Sequence, residues 1–319
     1  MSMKHLMIST ALLTAASGAV MAEDVKIGVP SWTGAQAIAH VLGEVVTSRI
    51  GGTVDYVPGN NATIFQAMDQ GKGDIDVHPD VWLPNQESFT KKYADDAGTV
   101  TLSSMPYEGN QGFCVSKNFA EANNITDIAD LGRPDVAALM DSDGNGKGEI
   151  WIGAPGWASA NVNEVKMRDY GLLDFLEPIR AEEAVKTARI KDSIAKDEGY
   201  AFYCYKPHAV WFMFDVVMLT EPTYDPEKYK MVQPSDDADW YEKSYVASKD
   251  ALKQVQIAWS NSLGERSPAI AEFFANFQLT ADDVSSLAYE ISAKDRDPAD
   301  VAADWVAANT DRVDAMLGL

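Results

Sequence analysis

Cysteine is nearly absent: Cys114 and Cys204 are the two in 319 residues, so at most one disulfide is available. Stability therefore rests on a buried core, which the 46% hydrophobic content is enough to build. Positive charge is also scarce. The 26 Lys and Arg residues face 48 Asp and Glu, for a net charge of −22. Such a balance repels nucleic acid and anionic membrane surfaces, so neither is expected as a partner. Histidine occurs four times, and His40, His78 and His208 lie far apart without zinc-type spacing. There is no Gly-x-Ser-x-Gly elbow and no phosphate-binding loop of the Walker type. A secreted hydrolase is thus a weak reading.

Long apolar runs are missing too, apart from the start. Met1 to Ala22 carries Lys4, an apolar stretch from Leu6 to Val20 and the small-residue site Val20-Met21-Ala22. This is the pattern of a secretory signal cleaved after Ala22, and it is too short for a bilayer anchor. The expected product is exported without direct membrane insertion. In a Gram-negative source it would be periplasmic.

At about one domain per 150 residues, the length suggests two lobes. Val25, Ile27 and Val29 alternate as a strand; Ile38, Val41, Leu42, Val45 and Val46 then recur at helical spacing up to Gly51-Gly52. Val54 to Val57, a helix with Ile64, Phe65 and Met68, and a strand at Ile75 and Val77 follow. Such βαβα order predicts a parallel sheet covered by helices. A second series begins near Gly112, with strands at 113–115, 150–152 and 200–205 and a helix over 162–170. The stretch from Ala251 reads as mostly helical, with Thr280 capping a helix from Ala281 and Val301, Trp305 and Ala308 lining the last one. Trp259 and Trp305 read as helix packing. No low-complexity linker separates the two series, so strands crossing between lobes are expected.

Eight tryptophans are a heavy load for this length. Trp32, Trp82, Trp157 and Trp211 each follow a strand, where parallel α/β sheets present their ligand crevice. Together they suggest a cage for a quaternary ammonium, which cannot donate a hydrogen bond and is held by the negative faces of aromatic rings. Each ring contributes about 0.5–1 kcal/mol when exposed and about 2 kcal/mol when desolvated. Ala158, Ser159, Ala160 and Asn161 lead into a helix whose free N–H groups could hold the anionic end of such a ligand. Asn161 with Glu164 reads as a capping box.

Residues 73–84, Gly-Asp-Ile-Asp-Val-His-Pro-Asp-Val-Trp-Leu-Pro, form the most telling run. Gly153-Ala154-Pro155-Gly156-Trp157, Asn163-Glu164 ahead of Tyr170-Gly171-Leu172, Lys206-Pro207-His208 before Trp211, and Leu219-Thr220-Glu221-Pro222 back it. Together they resemble the substrate-binding proteins of glycine betaine/proline-type ABC importers, over about residues 24 to 280. The resemblance implies an α/β, bilobal type II periplasmic binding protein that closes over its ligand and docks on a membrane permease. Lobe I is expected over 23–107 and 245–319, and lobe II over 108–244. Trp82, Trp157 and Trp211 would form the cage and Ala158 and Ser159 would offer backbone N–H groups; Trp32 is added from its position in the first turn. The ligand is a small methylated ammonium osmolyte, glycine betaine or trimethylamine N-oxide in type, bound by a monomer without catalytic cofactor. A ligand sensor for a membrane receptor is the alternative.

One segment departs from that pattern. Asp141, Asp143, Asn145, Lys147 and Glu149 place oxygen ligands at alternate positions of a Gly-rich loop, as in the first part of a calcium loop. A structural Ca2+ is expected there, although Ile152 stands where an EF-hand has its bidentate glutamate.

Overall fold

The structure is a computed structural model that describes residues 24–319. The signal segment expected over Met1 to Ala22 lies outside the described residues. Among the described residues no helix is long and apolar enough to cross a membrane.

The described residues form twelve strands: β1 (Asp24–Val29), β2 (Thr53–Pro58), β3 (Val77–Leu83), β4 (Val100–Leu102), β5 (Tyr107–Ser116), β6 (Gly148–Gly153), β7 (Leu176–Arg180), β8 (Ala201–Lys206), β9 (Val216–Met218), β10 (Tyr229–Lys230), β11 (Tyr245–Val246) and β12 (Lys253–Ser260). The main sheet runs β2-β1-β3-β12-β5-β8-β6-β7. Its two ends are parallel, β1 with β2 and β3, and β6 with β7 and β8, as the alternating order predicts. Antiparallel β12 and β5 join them. β5 belongs to both ends: residues 107–109 pair with β12, and residues 110–114 pair with β8. The result is two α/β lobes connected through crossing strands.

Trp259 therefore sits on β12, not on a helix, and the expectation of a mostly helical stretch from Ala251 is corrected there. Val255, Ile257 and Trp259 are buried at period two, and the strand's second half is buried on both faces because it lies centrally in the sheet. Helices do dominate after it, and Thr280 caps the Ala281–Ser292 helix through a reciprocal pair with Asp283.

The Thr33–Val45 helix packs where the sequence pattern places it. Gly34, Ala35, Ala37, Ala39 and Gly43 let it approach closely, while Ile38, Val41 and Leu42 fill the core beside the Ala281–Ser292 and Pro298–Ala308 helices. Burying Ile38 or Leu42 contributes about 1.5–3 kcal/mol each. A second core surrounds β5, β6 and β8, and it also contains Trp32 and Trp82, which follow β1 and end β3. Aromatic residues from one end of the sheet are thus packed against the other. Cys114 on β5 and Cys204 on β8 form a disulfide in this core.

Candidate functional site

Each end of the sheet brings one histidine to the crevice. Within β3 the Asp80 N–H donates to Nδ1 of His78 at 3.2 Å, leaving the His78 Nε2 proton for Asn61 Oδ1 at 3.0 Å. After β8 the Val210 N–H donates to Nδ1 of His208 at 2.8 Å, so Nε2 donates to Glu183 Oε1, also at 2.8 Å. Burial holds His78 neutral, with its pKa near about 3, and burial together with neighbouring Lys186 lowers His208 as well. Both histidines are structural props: His78 ties β3 to Asn61, and His208 ties the turn after β8 to Glu183.

Between these two histidines lies a small cavity of about 30 Å3. Trp32, Trp82, Trp157, Ala158 and Ser159 line it. Tyr203, Tyr205, Asn61, Asn85 and Gln86 complete the wall. Trp32 meets Trp157 edge-on at 5.6 Å between centroids, and Trp82 meets Tyr205 edge-on at 5.4 Å. Gly109 stands behind Trp82: a Cβ there would lie 2.8 Å from the indole, so glycine permits the ring's position.

Trp211 is not in that lining. Its indole N–H donates to the Tyr205 carbonyl at 2.8 Å, and the Lys206 ammonium lies 4.4 Å from its ring centre. Aromatic wall on that side comes instead from Tyr203 and Tyr205, two residues apart on β8 and so facing the same way. Their period-two spacing at a strand's carboxyl end was the available signal.

Ala158 begins the helix Ala158–Asp169, with Trp157 as its N-cap. The first N–H groups of a helix have no acceptor within it, so Ala158 and Ser159 present donors at the cavity wall. The helix starts three residues before the expected capping box. Asn161 instead donates to Gln233 Oε1 at 2.8 Å and accepts from Arg180, which also pairs with Glu164.

Polar contacts tie the two ends of the sheet together around the cavity. Trp157 Nε1 donates to Ser31 Oγ at 2.9 Å. Glu183 accepts from the Thr33 N–H and hydroxyl at 3.0 and 2.8 Å, and from the Tyr205 hydroxyl at 2.7 Å. Burial alone would raise the Glu183 carboxyl, but Lys186, His208 and the Thr33 N–H hold it well below its ordinary value. Glu183 thereby caps the N-terminus of the Thr33–Val45 helix, where a negative charge is favoured. Neighbouring Asp80 accepts from both Trp32 Nε1 and Trp82 Nε1, at 2.5 and 2.9 Å, and from the Tyr107 hydroxyl at 2.5 Å.

The acidic loop is arranged differently from the calcium expectation. Asp141 accepts backbone N–H bonds from Gly144, Asn145 and Gly146; Asp143 accepts the Asn145 N–H and side-chain amide. Asn145 Oδ1 takes the Lys147 N–H, the Lys147 ammonium donates to the Leu173 carbonyl, and Glu149 takes the Ser142 hydroxyl. The Asp141, Asp143, Asn145 and Glu149 oxygens thus already serve internal donors. Among the described residues, no group of three or more His, Cys, Asp or Glu is placed to hold a metal ion. As folded, the loop is held by its own hydrogen bonds.

The chain matches the family model described as the substrate binding domain of ABC-type glycine betaine transport systems, over residues 23–308. It is 25% identical over 213 residues to the glycine betaine-binding periplasmic protein OusX of Dickeya dadantii (strain 3937), covering 64% of this chain and 61% of that relative. The aligned region thus spans less than two thirds of that relative's length. Among solved structures, lactococcal OpuAC, closed and complexed with glycine betaine, superposes with a TM-score of 0.71 at 18% identity, covering 92% of this chain and 99% of that one. A choline binding protein in complex with choline gives 0.71 at 16% identity, covering 92% and 91%. At these identities the likeness is one of fold, and that shared fold is the bilobal binding-protein architecture.

Proposed function

The chain belongs to the family of substrate-binding domains of ABC-type glycine betaine transport systems, and on that premise we propose that it is the exported, periplasmic binding protein of an importer for a small methylated ammonium osmolyte. The ligand is of the glycine betaine or trimethylamine N-oxide type, and the named ligands of OpuAC and of the choline binding protein are of the same chemical class. The protein works as a non-catalytic monomer that delivers its ligand to a membrane permease.

The observation that carries this reading is the cavity wall. Three indoles and two phenols surround one space, with helix N–H donors at its edge. A quaternary ammonium has no N–H to give, so ring faces are the natural partner, and several desolvated rings together supply several kcal/mol at about 2 kcal/mol each. Trp32 and Trp82 act from lobe I (23–107 and 245–319). Trp157, Tyr203, Tyr205 and the Ala158 and Ser159 N–H groups act from lobe II (108–244). Ligand that touches both lobes binds the closed form better than the open one and shifts the equilibrium towards closure, which is the shape a permease can read.

A calorimetric panel of glycine betaine, trimethylamine N-oxide, choline, carnitine, proline betaine and dimethylsulfoniopropionate tests the proposal. Saturable one-to-one binding of at least one methylated onium ligand is expected. Absence of heat with every member overturns it.

A further inference from the structure

Four acidic residues are buried among the described residues: Asp76, Asp80, Glu183 and Asp250. Three have cationic partners. Asp76 pairs with Arg266, Glu183 lies by Lys186 and His208, and Asp250 bridges Lys166 and Lys253. Asp80 does not: among the described residues no Lys, Arg or His forms an ion pair with it, although it is 1% exposed. Its partners are the neutral donors Trp32, Trp82 and Tyr107. A buried carboxylate without a counter-ion is costly, and burial accordingly raises the Asp80 carboxyl despite three hydrogen bonds.

Two of those donors are cage walls. Both indoles donate their single N–H to the same oxygen, Oδ2, so one carboxylate fixes the position of two rings. That oxygen also lies 3.9 Å from where a Cβ on Gly34 would be, close to the first turn of the Thr33–Val45 helix. An indole whose N–H donates to an anion is polarised towards a more electron-rich ring, which strengthens its attraction for a cation on its face.

We propose that Asp80 is the positioning residue of the cage and the source of its charge selectivity: it aligns Trp32 and Trp82 and leaves a negative charge that only a cationic ligand neutralises. The inference rests on the reading of the cavity as an onium site. It assigns the missing counter-ion of Asp80 to the ligand itself, across the two indoles. A neutral group of the same shape would fill the same space and leave the carboxylate uncompensated.

Two matched pairs test this by calorimetry: glycine betaine against 3,3-dimethylbutanoate, and choline against 3,3-dimethylbutan-1-ol. In each pair carbon replaces nitrogen and the shape is kept. In the wild-type protein at least one cation is expected to bind about a hundredfold or more tighter than its neutral-headed partner. In Asp80→Asn that ratio is expected to shrink by about tenfold or more, with the cation losing most of the affinity. Equal losses for both members of a pair would mean that Asp80 only holds the rings, and would overturn the charge role. Equal wild-type affinities would overturn it as well, whether or not the variant folds. If the wild type binds other members of the onium panel but neither of these cations, this inference is overturned while the onium reading stands; if it binds no member of the panel, both fall.

Discussion

The Glu183 carboxylate accepts both the backbone N–H and the hydroxyl of Thr33, at 3.0 and 2.8 Å, across a sequence separation of 150 residues. Glu183 opens the helix after β7, and Thr33 opens the helix after β1, at opposite ends of the sheet. The same carboxylate accepts from the Tyr205 hydroxyl in the cavity wall. One charged group therefore touches both the cavity wall and the contact between the two ends of the sheet.

Glu183→Gln should weaken ligand binding by about tenfold, because hydrogen bonds to a charged group are worth about 1.5–3 kcal/mol and part of the geometry survives in the amide. Calorimetry reads the affinity, and small-angle scattering should show a larger open fraction at subsaturating ligand. The pH dependence has a definite sign. A carboxyl held well below its ordinary 4.5 contributes fully above that value and is lost only as the pH falls through the lowered one. Compactness of the liganded protein should therefore stay flat from neutral pH down to about 5. A collapse of the closed form in that range would contradict a role for the Glu183–Thr33 contact in closure.

Trp157→Ala removes a ring that meets Trp32, Trp151 and Tyr205 edge-on, and it also removes the bond to Ser31. Binding should weaken by about tenfold or more. Trp211→Ala should cost clearly less, since Trp211 lies behind Tyr205 and already faces the Lys206 ammonium. The two variants are to be titrated side by side; a larger loss for Trp211 would put the cage in the wrong place.

Replacing Cys114 and Cys204 together by Ala removes a crosslink that closes 90 residues between paired strands β5 and β8. The loop-entropy model gives about 4–5 kcal/mol as the largest expected loss. Thermal unfolding should show a markedly lower midpoint, with reductant reproducing the shift in the wild type. Unchanged midpoints would mean that strand pairing alone constrains this segment.

The acidic loop offers a prediction of no effect. Because Asp141, Asp143 and Asn145 already accept internal N–H groups, added calcium should leave the melting midpoint where chelator leaves it. A rise of several degrees with calcium would show that the loop rearranges around the ion.

Much of this was legible in the residues, and the failures have physical causes. Trp32, Trp82 and Trp157 could be placed because strand-to-helix junctions of a parallel sheet open on one crevice, and local order along the chain identifies those junctions. Trp211 occupies such a junction too, but a four-residue helix, Val210–Met213, turns its ring away from the cavity. No sequence pattern encodes that turn. β12 was misread because helices surround it on the C-terminal side, although Val255, Ile257 and Trp259 keep a strand's alternation. The calcium pattern fixes residue types at alternate positions, yet the same Asp and Asn side chains also make tight Asx turns with their own backbone, and the folded loop uses them so. Asp80 lay within the most telling run, but its service to Trp32, 48 residues away, is a property of the folded crevice alone.

The most direct test is a crystal structure of the protein grown with the tightest ligand of the onium panel. The account predicts methyl groups in van der Waals contact with the Trp32, Trp82 and Trp157 rings, and any anionic end on the Ala158 and Ser159 N–H groups. Ligand density elsewhere, with these three rings packed on each other and nothing between them, would contradict it.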